Sequence, residues 1–181
     1  MGGTIKDSIG LPFTLFRARD ALPYEEAGVM TAAPQDGSRS DDFARLVEGG
    51  VLEGSRVSLL FSRPGLSLTH VWFKSGFPLP RHSHSADCAY FIISGSLRIG
   101  TEELGAGDGF FVGDSVPYAY VPGDKGVEVL EIRTSDHFDI RLLVNNPAWW
   151  DKAATRLAEV RPEWEHQTAP PSGIVVGTGS G

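Results

Sequence analysis

The feature that most constrains this chain is its central stretch, residues 57–134, where short β-rich runs recur between turn-forming residues. The runs cover residues 57–62, 66–73, 89–93, 97–99, 109–112, 118–121 and 127–133, separated by Gly, Pro, Asp and Ser. Runs of this length, spaced by turn signals, favour an antiparallel sandwich or barrel over alternating strands and helices. The 22 glycines and 12 prolines among 181 residues suit a backbone that turns often. The expected fold class is therefore all-β.

A chain of this length reads as one domain with extensions, long enough to bury a core without disulfides or a structural metal. Cys88 is the single cysteine, so no internal disulfide forms, and a reducing, cytoplasmic compartment is expected. A formal net charge of −7 repels nucleic-acid phosphates and anionic lipid surfaces. No apolar run is long enough to span a bilayer, the first 20 residues show no cleavage pattern, and Lys6 breaks a myristoylation signal. Neither nucleic acid nor membrane is an expected partner.

The flanks read differently from the centre. Residues 1–50 form an N-terminal arm, with an apolar cluster at Leu11, Phe13, Leu15 and Phe16 and a short helix capped by Asp41 or Asp42 and ended by Gly49 and Gly50. Residues 51–140 hold the β-rich domain. Within 141–166, Asn146 and Pro147 are suited to N-cap and N1 of a helix covering 148–160, which Pro162 should stop. Trp149, Trp150, Ala153 and Leu157 share one face of it for packing. Residues 167–181, rich in Gly, Pro, Ser and Thr, read as a flexible tail.

The segment that carries chemistry is Gly76-Phe-Pro-Leu-Pro-Arg-His82-Ser-His84-Ser-Ala-Asp87-Cys88-Ala-Tyr90-Phe-Ile-Ile-Ser-Gly95. Residues two apart on a strand project to the same side, so His82 and His84 can aim both imidazoles at one point inside a barrel. Neutral imidazole nitrogens suit zinc, iron, copper, nickel or manganese. The competing reading is a hydrogen-bonded polar pair in a metal-free cavity.

In this segment the chain resembles the cupin superfamily, of the RmlC-like, single-domain type, whose first motif is G-x5-H-x-H-x3,4-E-x6-G. Gly76, His82, His84 and Gly95 keep that spacing, and Cys88 stands at the glutamate position. The second motif, G-x5-P-x-G-x2-H-x3-N, aligns from Gly107, with Gly113 for the proline, Ser115 for the glycine and Tyr118 for the histidine. The resemblance implies a double-stranded β-helix, or jelly-roll barrel, often dimeric. It also implies one divalent metal ion (Zn, Fe, Ni or Mn) held by residues at the positions of His82, His84, Cys88 and Tyr118. Thiol dioxygenases of the superfamily also carry cysteine at the glutamate position, but they keep the third histidine that is replaced here.

A thiolate ligates zinc or iron well and starts from a lower pKa than a phenol, which makes Cys88 a better third ligand than Tyr118. Asp87, one residue out of register, is an alternative, and His70 or His137 could supply an imidazole if the fold brings them in. Tyr90 and Tyr118 are candidates to position substrate or move a proton. The expected function is a metal-dependent step on a small organic molecule with an aromatic or apolar body, by oxygenation, isomerisation or lyase chemistry. The alternative is a metal-free barrel serving as a small-molecule binder or a homodimeric assembly module.

Overall fold

The computed structural model describes residues 13–33 and 37–177. In chain order these form β1 (Leu22–Pro23), α1 (Tyr24–Ala27), β2 (Met30–Ala32), α2 (Gly37–Glu48), β3 (Ser55–Arg63), β4 (Leu66–Phe73), β5 (His82–His84), β6 (Cys88–Ile99), β7 (Glu102–Gly105), β8 (Gly109–Val112), β9 (Val121–Arg133), β10 (Phe138–Leu142) and α3 (Pro147–Trp164). The fold is an all-β double-stranded β-helix with a C-terminal helix. One sheet runs β1-β3-β4-β9-β6-β7, with β8 also paired to β6, and a second runs β2-β10-β5. The arm joins both sheets, since β1 pairs with β3 and β2 lies parallel to β10.

Strand alternation sorts the long central strands into an inner and an outer face. Val127 and Val129 of β9 enter the core beside Tyr90 and Ile92 of β6 and Val71 and Phe73 of β4. The same inner face of β9 continues to Glu131 and Arg133, both buried. The barrel is thus apolar at one end and charged at the other. The second sheet closes on the charged end: His82 and Tyr118 exchange two backbone hydrogen bonds (3.0 and 2.9 Å), and Ser115 N donates to His84 O (2.8 Å).

Local chemistry accounts for several departures from the sequence reading. Runs 89–93 and 97–99 are a single strand, β6, because two bulges absorb the break around Gly95. Gly95 has φ +74°, and a Cβ there would strike the Gly126 carbonyl, so the closing glycine of the first motif is a steric requirement. Tyr118 lies outside the regular strand as an isolated bridge, and β9 begins at Val121. Helix α2 starts at Gly37, so Asp41 and Asp42 sit within it and do not cap it.

Asn146 caps α3 as expected, its side-chain oxygen accepting from Ala148 N, with Pro147 next in the first turn. Pro162, however, does not stop the helix, which runs to Trp164. Proline that late removes only one hydrogen bond, and the residues beyond it are held from outside. The Trp164 indole donates to Ser75 O (2.9 Å) and stacks on Phe77, and Lys74 Nζ donates to Trp164 O (2.9 Å). Trp150, Ala153, Leu157, Val160 and Trp164 are all buried, and a large buried side chain is worth roughly 1.5–3 kcal/mol, enough to offset a proline penalty of about 3 kcal/mol.

Leu11 lies outside the described residues, while Phe13, Leu15 and Phe16 are exposed, Phe16 resting on Phe61. The segment read as a tail is seated against the barrel as far as it is described. Gln167 exchanges hydrogen bonds with Ser75, Val176 is buried, and Gly177 N donates to Ala18 O. Among the described residues, no helix is long and apolar enough to cross a membrane.

Candidate functional site

The alternation of β5 places His82 and His84 side by side, both buried, with ring centroids 5.0 Å apart and planes at 76°. His82 Nδ1 lies 2.7 Å from the Pro80 carbonyl oxygen, and His84 Nδ1 lies 2.9 Å from that of Asp139. A carbonyl only accepts, so Nδ1 carries the proton on both rings and Nε2 offers a lone pair. Burial pulls the His82 pKa down to about 4, although its bond to Pro80 opposes this. Burial, with the nearby Arg133 charge, pulls His84 down to about 3. Both rings are therefore neutral at physiological pH.

A second group faces them. The Tyr118 ring lies 4.4 Å from that of His82, and its hydroxyl is 2.5 Å from the Tyr90 hydroxyl. Tyr90 stacks flat on Phe110. Arg133 Nη2 donates to Tyr90 Oη (3.2 Å) and to Glu131 Oε2 (3.0 Å), and its guanidinium lies over Phe138 at 4.0 Å. Strand pairing explains the cluster, because β9 sets Arg133 opposite Cys88 and Glu131 opposite Tyr90. Burial, reinforced by Glu131, holds both phenols well above their ordinary pKa, so they stay protonated. Burial also raises the Glu131 carboxyl, against the opposing pull of Arg133. Arg133 remains charged despite its burial because Glu131 faces it, and its Nε has no partner among the described residues.

The sequence candidates separate cleanly on this framework. His82, His84, Tyr118 and Tyr90 come together. Cys88 is buried on β6 with Sγ directed to the Ala89 carbonyl at 3.6 Å, and burial, with the Glu131 charge, pushes its thiol up to about 12. Among the described residues no three His, Cys, Asp or Glu side chains gather into a metal-holding group, so Cys88 does not join the two imidazoles. Asp87 accepts from Asp114 N (2.7 Å) and so caps the turn after β8. His70 points away from the core and binds Glu128, and the exposed ring of His137 pairs with Asp136.

Glu131 and Arg133 were not among the sequence candidates. Their signal was present: in Val127-Glu-Val-Leu-Glu131-Ile-Arg133, alternation puts both charges on the face of Val127 and Val129, which is the core face. Charges at two successive inward positions of a central strand are rare in a core unless paired, as these two are.

The sheets and their order define the class of this protein as a jelly-roll barrel, with two histidines inside it. No family model and no curated protein matches the chain. Solved structures similar to it include the polyketide cyclase RemF from Streptomyces resistomycificus, at 18% identity and TM-score 0.48, over 57% of this chain and 84% of that one. KdgF from Halomonas sp. is similar at 18% identity and TM-score 0.42, over 45% and 79%. An RmlC-like cupin from Shewanella frigidimarina is similar at 22% identity and TM-score 0.42, over 46% and 78%. The chain has this jelly-roll barrel and keeps Gly76, His82, His84 and Gly95 at the spacing of the first cupin motif.

Proposed function

We propose that the barrel interior binds one small organic molecule beside His82, His84, Tyr118 and Tyr90 and promotes a proton-transfer step of the isomerase or lyase kind. The observation that carries this reading is the meeting of two imidazoles, each with its Nδ1 proton engaged by a carbonyl, with a phenol pair that ends on buried Arg133.

The two Nε2 lone pairs fit two ligand positions of a divalent transition ion, because a neutral imidazole whose other nitrogen donates to a carbonyl is the form in which histidine binds metals. Tyr118, held protonated, stands beside them as a hydrogen-bond donor and not as a third ligand. A bound ion supplies Lewis acidity toward a substrate oxygen. The phenols of Tyr90 and Tyr118, held protonated, donate hydrogen bonds or a proton to the bound molecule. Arg133 fixes the Tyr90 hydroxyl, and Glu131 balances the Arg133 charge. Phe110, stacked on Tyr90, and Phe138, edge-on to His84, add flat apolar faces to this cluster, suited to an aromatic or apolar body.

A metal-free binding barrel is the second reading, and Arg133 favours it: a fixed cation near the imidazoles opposes a dication as it opposes their protonation. Elemental analysis of protein purified without chelator or nickel resin separates the two. Near-stoichiometric metal that disappears in a His82→Ala, His84→Ala variant supports the metal enzyme, while less than about a tenth of an ion per chain in both proteins supports the binder.

The proposal extends to a homodimer in a reducing cytoplasm. Ala89, Phe111 and Ile132 are in register on the outer faces of β6, β8 and β9, with exposed Phe91 beside them, and a second copy would cover this apolar strip. Light scattering should give a dimer that Phe111→Glu turns into a monomer.

A further inference from the structure

We infer that the cleft between residues 76–79, the end of β6 and helix α3 is a second ligand site, built for a small amphipathic anion. It would hold the acidic group at Lys152, Arg156 and Arg98 and the apolar body against Trp149, Phe77 and Leu79. The cleft encloses about 420 Å³, within the range of small-molecule sites.

Its charge runs against that of the chain. The protein carries a net −7, yet no Asp or Glu lines the cleft, and three cations do. Lys152 has no hydrogen-bond or ion-pair partner among the described residues. Among the described residues Arg98 reaches only the Gly100 carbonyl (3.3 Å), and Arg156 makes one long, exposed contact to Glu159 (3.4 Å). Lys152 and Arg156 are one helical turn apart on α3, where like charges repel. An anion between them would relieve that repulsion.

The apolar side is equally ordered. Trp149 packs edge-on against Trp150, which is buried, so its ring is a fixed wall. Trp149, Lys152, Ala153 and Arg156 fall on one stripe of α3 at helical spacing. Gly76 completes the cleft: its φ is +62°, and a Cβ there would lie 2.6 Å from Arg156 Nη2. The absent side chain is what lets the guanidinium fold across the backbone. Tyr120, also in the lining, is buried and stacks on Tyr118, so one ring forms both the floor of the cleft and part of the barrel wall.

The test uses the full chain, with dodecanoate as probe and dodecan-1-ol as its uncharged counterpart, read by calorimetry and by tryptophan fluorescence. The expected result is dodecanoate binding at least about tenfold tighter than the alcohol, a preference removed in Lys152→Glu, Arg156→Glu and kept in His82→Ala, His84→Ala. Both α3 side chains are exposed, so their reversal leaves the fold intact. Equal affinity for acid and alcohol, no dodecanoate binding, or affinity unchanged by the charge reversal would overturn the site. Loss of binding in the histidine variant would also overturn it, by placing the acid in the barrel.

Discussion

His70 on one face of the barrel wall and the His82–His84 pair inside it are all buried, yet their ring nitrogens meet different partners. His70 Nε2 lies 2.6 Å from Glu128 Oε1, and the backbone and hydroxyl of Ser172 donate to the two carboxylate oxygens at 3.1 and 2.8 Å. That unit is closed by the C-terminal segment, and although burial alone would raise the Glu128 carboxyl, His70 and Ser172 hold it below its ordinary pKa. His82 and His84 meet no carboxylate among the described residues. Each has one nitrogen fixed by a backbone carbonyl, and the other remains available. What a buried histidine does is set by the group that takes its first nitrogen. A carboxylate makes it part of a closed structural hydrogen-bonded unit, whereas a carbonyl orients it and leaves a donor atom for a ligand.

Substitutions can break this contrast. The largest expected effect is on the closed pair: Glu128→Ala leaves His70 buried beside an empty position and should cost about 3–5 kcal/mol in denaturant unfolding. A loss below about 1 kcal/mol would show that the pair carries no structural weight.

The open pair should appear as a pH dependence. His82 and His84 have folded pKa values of about 4 and about 3, below the 6.5 of the unfolded chain, so the unfolded state binds more protons on acidification. Their contribution is complete above pH 6.5 and is lost as pH falls from there toward 3 in chelator-treated protein. A His82→Gln, His84→Gln variant should flatten that slope, and an unchanged slope would assign the acid sensitivity elsewhere.

The smallest effect sharpens the site's frame. Ser115, in the turn that donates to the His84 carbonyl, has φ +59°, a conformation that costs a side chain about 1 kcal/mol. It stands at the glycine position of the second cupin motif. Ser115→Gly should therefore raise the melting temperature slightly, by the equivalent of about 0.5–1 kcal/mol, without altering ligand binding.

Much of this was readable from the sequence, for identifiable reasons. The strands were legible because turn residues punctuate them, and His82 with His84 because a two-residue spacing on a strand fixes a shared face. Tyr118 was found through its motif register, and the structure places its ring against His82. Cys88 shares the inner face of β6 with Tyr90, but its spacing along the chain does not say how far its thiol stands from the imidazoles. Pro162 misled because the tertiary anchoring of Trp164 outweighs a local rule. Glu131 and Arg133 were concealed by the habit of reading charges as solvent-facing, although their alternation with Val127 and Val129 placed them inside.

The central claim is that both interior imidazoles hold their proton on Nδ1 and leave Nε2 as a free lone pair. Long-range ¹H–¹⁵N correlation spectra of the histidine rings at neutral pH, assigned with single His82→Gln and His84→Gln variants, report this directly. The expected spectrum shows two neutral rings in the Nδ1–H form, with unprotonated Nε2 shifts that move when ligand or metal is added. Rings protonated on Nε2, or present as imidazolium, would contradict the account.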